Sequence, residues 1–326
     1  METNKRKVLV VQGLHDEGIK MLENRQDVDF QVLMSDDENE ICEAAKDAHA
    51  ITVRTANITK KIIEEAENLL VVSRHGVGYD SIDVDTLTLK KVPLTIAANS
   101  NMVTVSEHTM MMMLGLSKNV FYYDEFTRKA DWSTRWNNKS WDLAGKKLLV
   151  IGFGRIGSRV TKRAIAFDMD VIVYDPYVSG DLIHNVGAKK VDNYFDILSE
   201  IDVVTIHCPR NKQTENMFSS REFEEMKKTS YIINCARGGI INEIDLYDAL
   251  KNNKISGAGL DVFDIEPAPL NNKLLELKNI ILSPHIAGVT VEATIRMSTE
   301  SVQNVFDIFD NKINQNVIVN QEITKG

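Results

Sequence analysis

The stretch Leu148-Leu149-Val150-Ile151-Gly152-Phe153-Gly154-Arg155-Ile156-Gly157 decides how this chain is read. Four apolar residues predict a buried strand, three glycines follow at G-x-G-x-x-G spacing, and Arg159 to Phe167 continues with a helical pattern. Glycines at these positions permit a tight turn, close backbone approach to a pyrophosphate and close packing of helix on strand. The motif alone is a weak signal, but its context test is met. The next strand, Val171-Ile172-Val173-Tyr174, ends in Asp175, about twenty residues on, where a carboxylate would hold the ribose hydroxyls of a dinucleotide. Tyr174, Pro176 and Tyr177 offer no basic group for a 2′-phosphate, which favours NAD over NADP.

Outward from that motif the pattern repeats. Lys146–Ile151, Val171–Tyr174, Val203–Ile206, Tyr231–Asn234, Gly257–Val262 and Ile280–Leu282 read as six strands of a Rossmann sheet. Upstream, Lys7–Val11, an amphipathic segment, Val28–Leu33, Ile41–Ala48, Ile51–Val53, Leu69–Ser73 and Leu94–Ala97 give a second βαβ series, hence a second doubly wound parallel sheet. Thr104-Val105-Ser106-Glu107 reads as a capping box opening a long helix through the Met110–Met113 run, and the domain boundary is placed just before it. The division is therefore residues 1–100 and 101–290. Residues 291–326 are too few for a domain of their own and read as one helix, Val291–Phe309, with a short strand near Val317–Val319 that completes the first domain. Two chain crossings would then leave a cleft between the halves.

Composition agrees with an α/β protein of this kind. A length of 326 residues favours two domains, and 43% apolar with 26% charged residues excludes disordered, collagenous and coiled-coil classes. The net charge of -9, with no basic stripe, argues against a nucleic-acid partner. The greasiest run, Met110–Leu116, falls far short of the ~20 apolar residues of a membrane helix. Lys5-Arg6-Lys7 precedes only a short apolar run before Asp16-Glu17, so no secretion signal is read, and three cysteines without a C-x-x-C pair fit a reducing cytoplasm.

Three polar features fall at strand ends of the second series, where ligands of open α/β sheets bind. Arg237, in Asn234-Cys235-Ala236-Arg237-Gly238-Gly239, is suited to gripping a carboxylate bidentately, although alone it could serve as a cap or ion-pair residue. Gly259 to Pro267 clusters Asp261, Asp264 and Glu266, which alone reads as a solvated acidic loop. Ser283-Pro284-His285-Ile286-Ala287-Gly288 carries a histidine that alone would be structural. Together they form a set. Hydride transfer to a keto carbon needs a proton donor titrating near neutrality, a carboxylate to orient it, and a cation at the carbonyl oxygen. The spacing leaves open which of the three carboxylates reaches His285.

These stretches, with His207-Cys208-Pro209 and in this order, resemble the D-isomer-specific 2-hydroxyacid dehydrogenase family over nearly the whole chain. The resemblance implies a Rossmann NAD-binding domain inserted in a flavodoxin-like substrate domain. It implies that His285 is the acid/base, that Glu266 pairs with it, and that Arg237 binds the substrate carboxylate. Asp261 would contact the nicotinamide carboxamide, while Gly152, Gly154, Arg155, Ile156, Gly157, Asp175, Cys208, Cys235, Ala236 and Gly288 would line NAD. The helix opened at Thr104 resembles the family's dimerisation element, so a homodimer is implied.

In the first domain, Gly76-Val77-Gly78 can present N–H groups as an anion nest, which in the family meets the substrate carboxylate. Arg74 and Arg54, each of which alone could equally be a surface or interdomain ion-pair residue, resemble basic positions of family members that oxidise phosphoglycerate, so 3-phosphoglycerate (with 3-phosphohydroxypyruvate as its keto form) leads as substrate. Hydroxypyruvate, glyoxylate or another small 2-hydroxy acid follows. His75 is expected to pack rather than touch substrate. Adjacent His207 and Cys208 point to opposite faces of a strand, so no metal is expected. The rival class is a nucleotide-sensing protein resembling C-terminal binding corepressors; the intact Arg237, Glu266 and His285 set favours the enzyme.

Overall fold

A computed structural model describes residues 5–312 and 314–324. The chain divides into two compact units, one running to Asn101 and resuming at Val289, the other spanning Met102–Gly288.

The first unit is built on five parallel strands, β1 (Arg6–Val11), β2 (Val28–Leu33), β3 (Ala50–Val53), β4 (Val71–Arg74) and β5 (Leu94–Ile96), in the order β2-β1-β3-β4-β5. Parallel strands covered on both faces read as unbroken apolar runs, and Val8 to Val11 are all buried. Because side chains alternate across a strand, Leu9, Val11, Ile51 and Val53 pack with Ile41, Ile62 and Leu87 of the helices Glu38–Ala45, Lys60–Glu65 and Val84–Leu89. Val8, Val10 and Ala50 face the other way, onto Leu22 of helix Asp16–Glu23 and onto Val302, Val305, Phe306 and Phe309 of helix Val291–Phe309. This last helix starts at Thr290, whose hydroxyl accepts from the Ala293 N–H at 3.1 Å.

The strand read at Val317–Val319 is corrected here. The chain makes a 3-10 turn at Gln315–Val317 and a single antiparallel bridge between Ile318 and Thr95. A side chain supplies what a ladder would have: the buried Asn320 accepts from the Leu94 N–H through Oδ1 and donates through Nδ2 to the Val92 carbonyl, both at 2.9 Å.

The second unit holds seven parallel strands, β6 (Lys147–Ile151), β7 (Asp170–Tyr174), β8 (Lys189–Val191), β9 (Val203–Ile206), β10 (Tyr231–Asn234), β11 (Gly257–Leu260) and β12 (Ile280–Leu282), ordered β12-β11-β10-β9-β6-β7-β8. That is the Rossmann order with one strand beyond the six expected. The addition, β8, is Lys189-Lys190-Val191 at the sheet edge, where lysines discourage further pairing and mask the strand's pattern. The capping box is also corrected. Helix Met102–Ser117 begins two residues before Thr104, which lies buried within it, and Glu107 pairs with Arg163 at 3.4 Å rather than closing a cap. Met110, Met112 and Met113 are core, while Met111 is exposed. Among the described residues no helix is long and apolar enough to cross a membrane.

Asn320→Ala would leave the Leu94 N–H and Val92 C=O unsatisfied in a buried place, at about 1–3 kcal/mol each. Urea denaturation of this variant is expected to show a first-unit transition at clearly lower urea; an unshifted transition would show that the tail is not held by this residue.

Candidate active site

β6 runs through the glycine loop into helix Gly157–Ala166. Gly152 has a φ of +93°, and a Cβ there would stand 2.9 Å from the backbone of His207 and Cys208. A Cβ on Gly157 would collide with the Gly152 carbonyl, which fixes how closely helix and strand pack. Gly154 has nothing within 4 Å of where its Cβ would be, so that side of the loop is open to a ligand. Asp175, at the end of β7, accepts from the Phe153 N–H at 2.7 Å and from the Tyr177 and Val178 N–H groups at 2.9 and 3.2 Å. It thereby ties the loop to its own turn, with one of a carboxylate's roughly four acceptor positions left over. An open glycine loop ahead of a helix start, with a carboxylate at its edge, fits a dinucleotide's pyrophosphate and ribose.

Arg155 is exposed and Ile156 half-buried on that loop, and Cys208, Ala236 and Gly288 are half-buried. The Cys235 side chain instead turns inward, its Sγ 3.7 Å from Met112 Sδ, so only its backbone is available to a ligand. Burial pushes the Cys208 thiol to about 11 and the Cys235 thiol to about 12, which makes both inert. Sequence reading missed Lys190 of β8, whose Nζ reaches the turn after Asp175 and donates to the Val178 carbonyl at 2.8 Å.

The three carboxylates have separate duties. Asp264 accepts from the Gly239 N–H at 2.6 Å, joining the loop after β11 to the loop carrying Arg237. Asp261 is fully buried beneath the loop after β12: its Oδ1 accepts from the Ile286 N–H at 2.9 Å and its Oδ2 from the Ala287 N–H at 2.8 Å. Both oxygens therefore serve that loop, whatever further contact a carboxamide would make. Glu266 is the one that reaches His285, with Oε2 2.6 Å from Nδ1, while its Oε1 accepts from the Phe263 N–H at 3.0 Å. Burial raises the Glu266 carboxyl, but the His285 and Phe263 hydrogen bonds and the charge of Arg237 more than offset this and hold it below its ordinary value. His285 itself has a φ of +53°, and its N–H donates to the Asp261 carbonyl at 2.8 Å. With Nδ1 engaged by Glu266, Nε2 is the nitrogen free to exchange protons.

Arg237 follows β10 in a turn closed by Asn234, whose Nδ2 donates to the Arg237 carbonyl at 2.8 Å and whose Oδ1 accepts from the Ala236 N–H at 2.9 Å. The side chain of His207 lies 2.9 Å from Thr205 Oγ1, and burial lowers it to about 3, so it is neutral. Among the described residues no group of three His, Cys, Asp or Glu is placed to hold a metal ion.

In the first unit the anticipated residues gather at the C-terminal ends of β3 and β4. Arg54 is exposed and donates to the Gln12 carbonyl at 3.2 Å; Arg74 donates to the carbonyl of His75. Gln12 escaped the sequence reading. It sits just beyond β1 with a φ of +67°, and its Oε1 accepts from the Thr55 and Ala56 N–H groups at 2.7 and 2.8 Å, joining the two strands between which the sheet order reverses. A polar residue ending an apolar strand and followed by Gly13 was the available signal. His75 is 7% exposed, and burial together with the charges of Arg74 and Arg54 lowers it to about 4. Gly76 has a φ of +130°, and Val77 and Gly78 are half-buried.

Comparison with known proteins accords with this geometry. Residues 110–287 match the family model for the D-isomer specific 2-hydroxyacid dehydrogenase NAD binding domain. Over 96% of its length the chain is 37% identical to a D-3-phosphoglycerate dehydrogenase of Methanocaldococcus jannaschii. It spans only 54% to 59% of the length of this and three further D-3-phosphoglycerate dehydrogenases that it resembles. It is 31% identical to a glyoxylate reductase of Korarchaeum cryptofilum across 98% of both chains. The solved structure of a D-lactate dehydrogenase from Aquifex aeolicus, complexed with NAD and lactic acid, is similar with a TM-score of 0.86 and 28% identity, over 96% of this chain and 98% of that one. On these matches, and on the order in which Gly152, Asp175, Arg237, Glu266 and His285 meet along one sheet edge, the chain belongs to the D-isomer-specific 2-hydroxyacid dehydrogenase family.

Proposed function

We propose that the chain is an NAD-dependent dehydrogenase of small 2-hydroxy acids. The observation that carries this reading is the 2.6 Å His285–Glu266 pair within the field of Arg237. Bound NAD supplies the hydride acceptor, and NADH the donor. In oxidation His285 Nε2 takes the C2 hydroxyl proton as hydride leaves C2; in reduction it returns that proton to the developing alkoxide. Glu266 orients the ring through the hydrogen bond at Nδ1, and Arg237 holds the substrate carboxylate and stabilises charge on the reacting oxygen.

Among substrates we place 3-phosphoglycerate and 3-phosphohydroxypyruvate first, which would set the enzyme in serine biosynthesis. Arg54 and Arg74 at the strand ends of the first unit, and the likeness to phosphoglycerate dehydrogenases, support this. Gly76, Val77 and Gly78 would meet the substrate carboxylate. A second reading, glyoxylate or hydroxypyruvate, is favoured by the full-length correspondence with glyoxylate reductases. The three unpaired cysteines support a reducing, cytoplasmic setting.

We also propose a homodimer. Helix Val120–Arg128 buries none of its residues, and Phe121, Trp132 and Trp136 are 64%, 69% and 75% exposed, an aromatic surface of the kind that pairs with a second copy.

Loss of NADH absorbance with phosphohydroxypyruvate, hydroxypyruvate, glyoxylate, pyruvate and oxaloacetate, compared as kcat/KM, tests the substrate. Preference for phosphohydroxypyruvate that drops roughly tenfold or more in Arg54→Ala supports the first assignment; preference for an unphosphorylated acid discards it. His285→Ala is expected to lower kcat about 10²- to 10⁴-fold with NADH binding retained, and near wild-type turnover would refute the acid/base assignment. Light scattering of Phe121→Glu/Trp136→Glu is expected to give half the wild-type mass; an unchanged mass would move the interface elsewhere.

A further inference from the structure

Asp261 is sealed under the loop that carries His285, and its environment extends past that loop to the helix Met102–Ser117. Besides the Ile286 and Ala287 N–H groups, it accepts from the Ser283 hydroxyl, Oγ to Oδ1 at 2.6 Å. Ser283 has one hydroxyl proton. Since that proton lies toward Asp261, the Ser283 oxygen is an acceptor for its other neighbour, His108 Nε2, 3.0 Å away on the helix. Nε2 therefore carries a proton. The order His108 Nε2–H to Ser283 Oγ–H to Asp261 Oδ1 is the one that leaves neither short contact as a clash of two acceptors, and it sets His108 3.7 Å from the carboxylate. His108 is largely buried, so the helix presents it to this chain rather than to solvent.

The chain of donors matters because of what Asp261 grips. Its carbonyl takes the N–H of His285, and its carboxylate takes the N–H groups of the next two residues. His285 is thus held from both sides in a left-handed conformation that residues other than glycine seldom keep without support. That backbone aims the imidazole at Glu266.

We propose that Ser283 and His108 are positioning residues for His285, acting through Asp261 without touching substrate. They fix the Asp261 oxygens, which fix residues 285–287, which fix where Nε2 meets the substrate hydroxyl. The inference rests on His285 being the acid/base of the proposed reaction.

The test uses the full chain with phosphohydroxypyruvate, hydroxypyruvate and glyoxylate as oxidants. His108→Leu and Ser283→Ala should each lower kcat about 10- to 100-fold, the scale of a misplacement of about 1 Å. NADH Kd by fluorescence and the melting temperature should stay close to wild type. His108→Gln, which keeps an N–H donor, should recover most of the rate. Unchanged kcat in both variants, or a loss that follows the unfolded fraction, would overturn the proposal, as would a loss confined to NADH affinity. A His285→Ala control separates the two levels: if it too turns over at full rate, the proposed reaction fails and the inference with it, whereas an inactive control beside a fully active His108→Leu sinks the inference alone.

Discussion

A side-chain carboxylate shut away from solvent must find its hydrogen bonds inside the protein, and Asp261, with 0% exposure just past β11, finds them in the loop after β12. The consequence is geometric. Two consecutive N–H groups, Ile286 and Ala287, bond to one carboxylate, and the preceding residue, His285, bonds to its carbonyl. A three-residue segment gripped in this way can hold a backbone conformation that a solvated loop would relax. The distance from His285 Nδ1 to Glu266 then depends on two neighbouring loops, neither of which is a regular element.

The parallel sheets explain why such loops meet at all. In a parallel sheet every strand ends on the same edge, so loops far apart in sequence are brought side by side in the order of the strands. β6, β7, β10, β11 and β12 deliver the glycine turn, Asp175, Arg237, Glu266 and His285 to one edge of the second sheet. The five-stranded sheet repeats the device on a smaller scale: β1, β3 and β4 deliver Gln12, Arg54 and Arg74. Buried apolar strands provide the rigid part, and the polar residues sit where each strand runs out.

What could be read from the sequence follows from the same division. Buried parallel strands announce themselves as Val/Ile/Leu runs, so Val8–Val11, Leu148–Ile151 and Val203–Ile206 were legible. Lys189-Lys190-Val191 was not, because an edge strand of three residues does not need apolar side chains. Thr104 and Glu107 have the spacing of a cap, but a cap is defined by where the helix begins, and the helix begins at Met102, with Thr104 buried inside it. The tail near Ile318 looked like a strand; one bridge and the Asn320 side chain hold it instead. In the site, residue types pointed to His285 with one of three carboxylates and the family resemblance singled out Glu266; loop geometry gives the reason, since Glu266 meets the ring while Asp264 and Asp261 hold backbone N–H groups. Gln12, Lys190, Ser283 and His108 act through side-chain hydrogen bonds to residues well separated in sequence, and no local pattern marks them.

The site is proposed to move hydride between a nicotinamide and C2 of a 2-hydroxy acid. The most direct measurement of this transfer is the fate of label from NADH deuterated at C4 on the transferred face, incubated with the protein and a 2-keto acid it accepts. One deuterium is expected at C2 of the product, with D configuration wherever the keto acid makes C2 a stereocentre, as phosphohydroxypyruvate and pyruvate do. Unlabelled product, or product of L configuration, would contradict it.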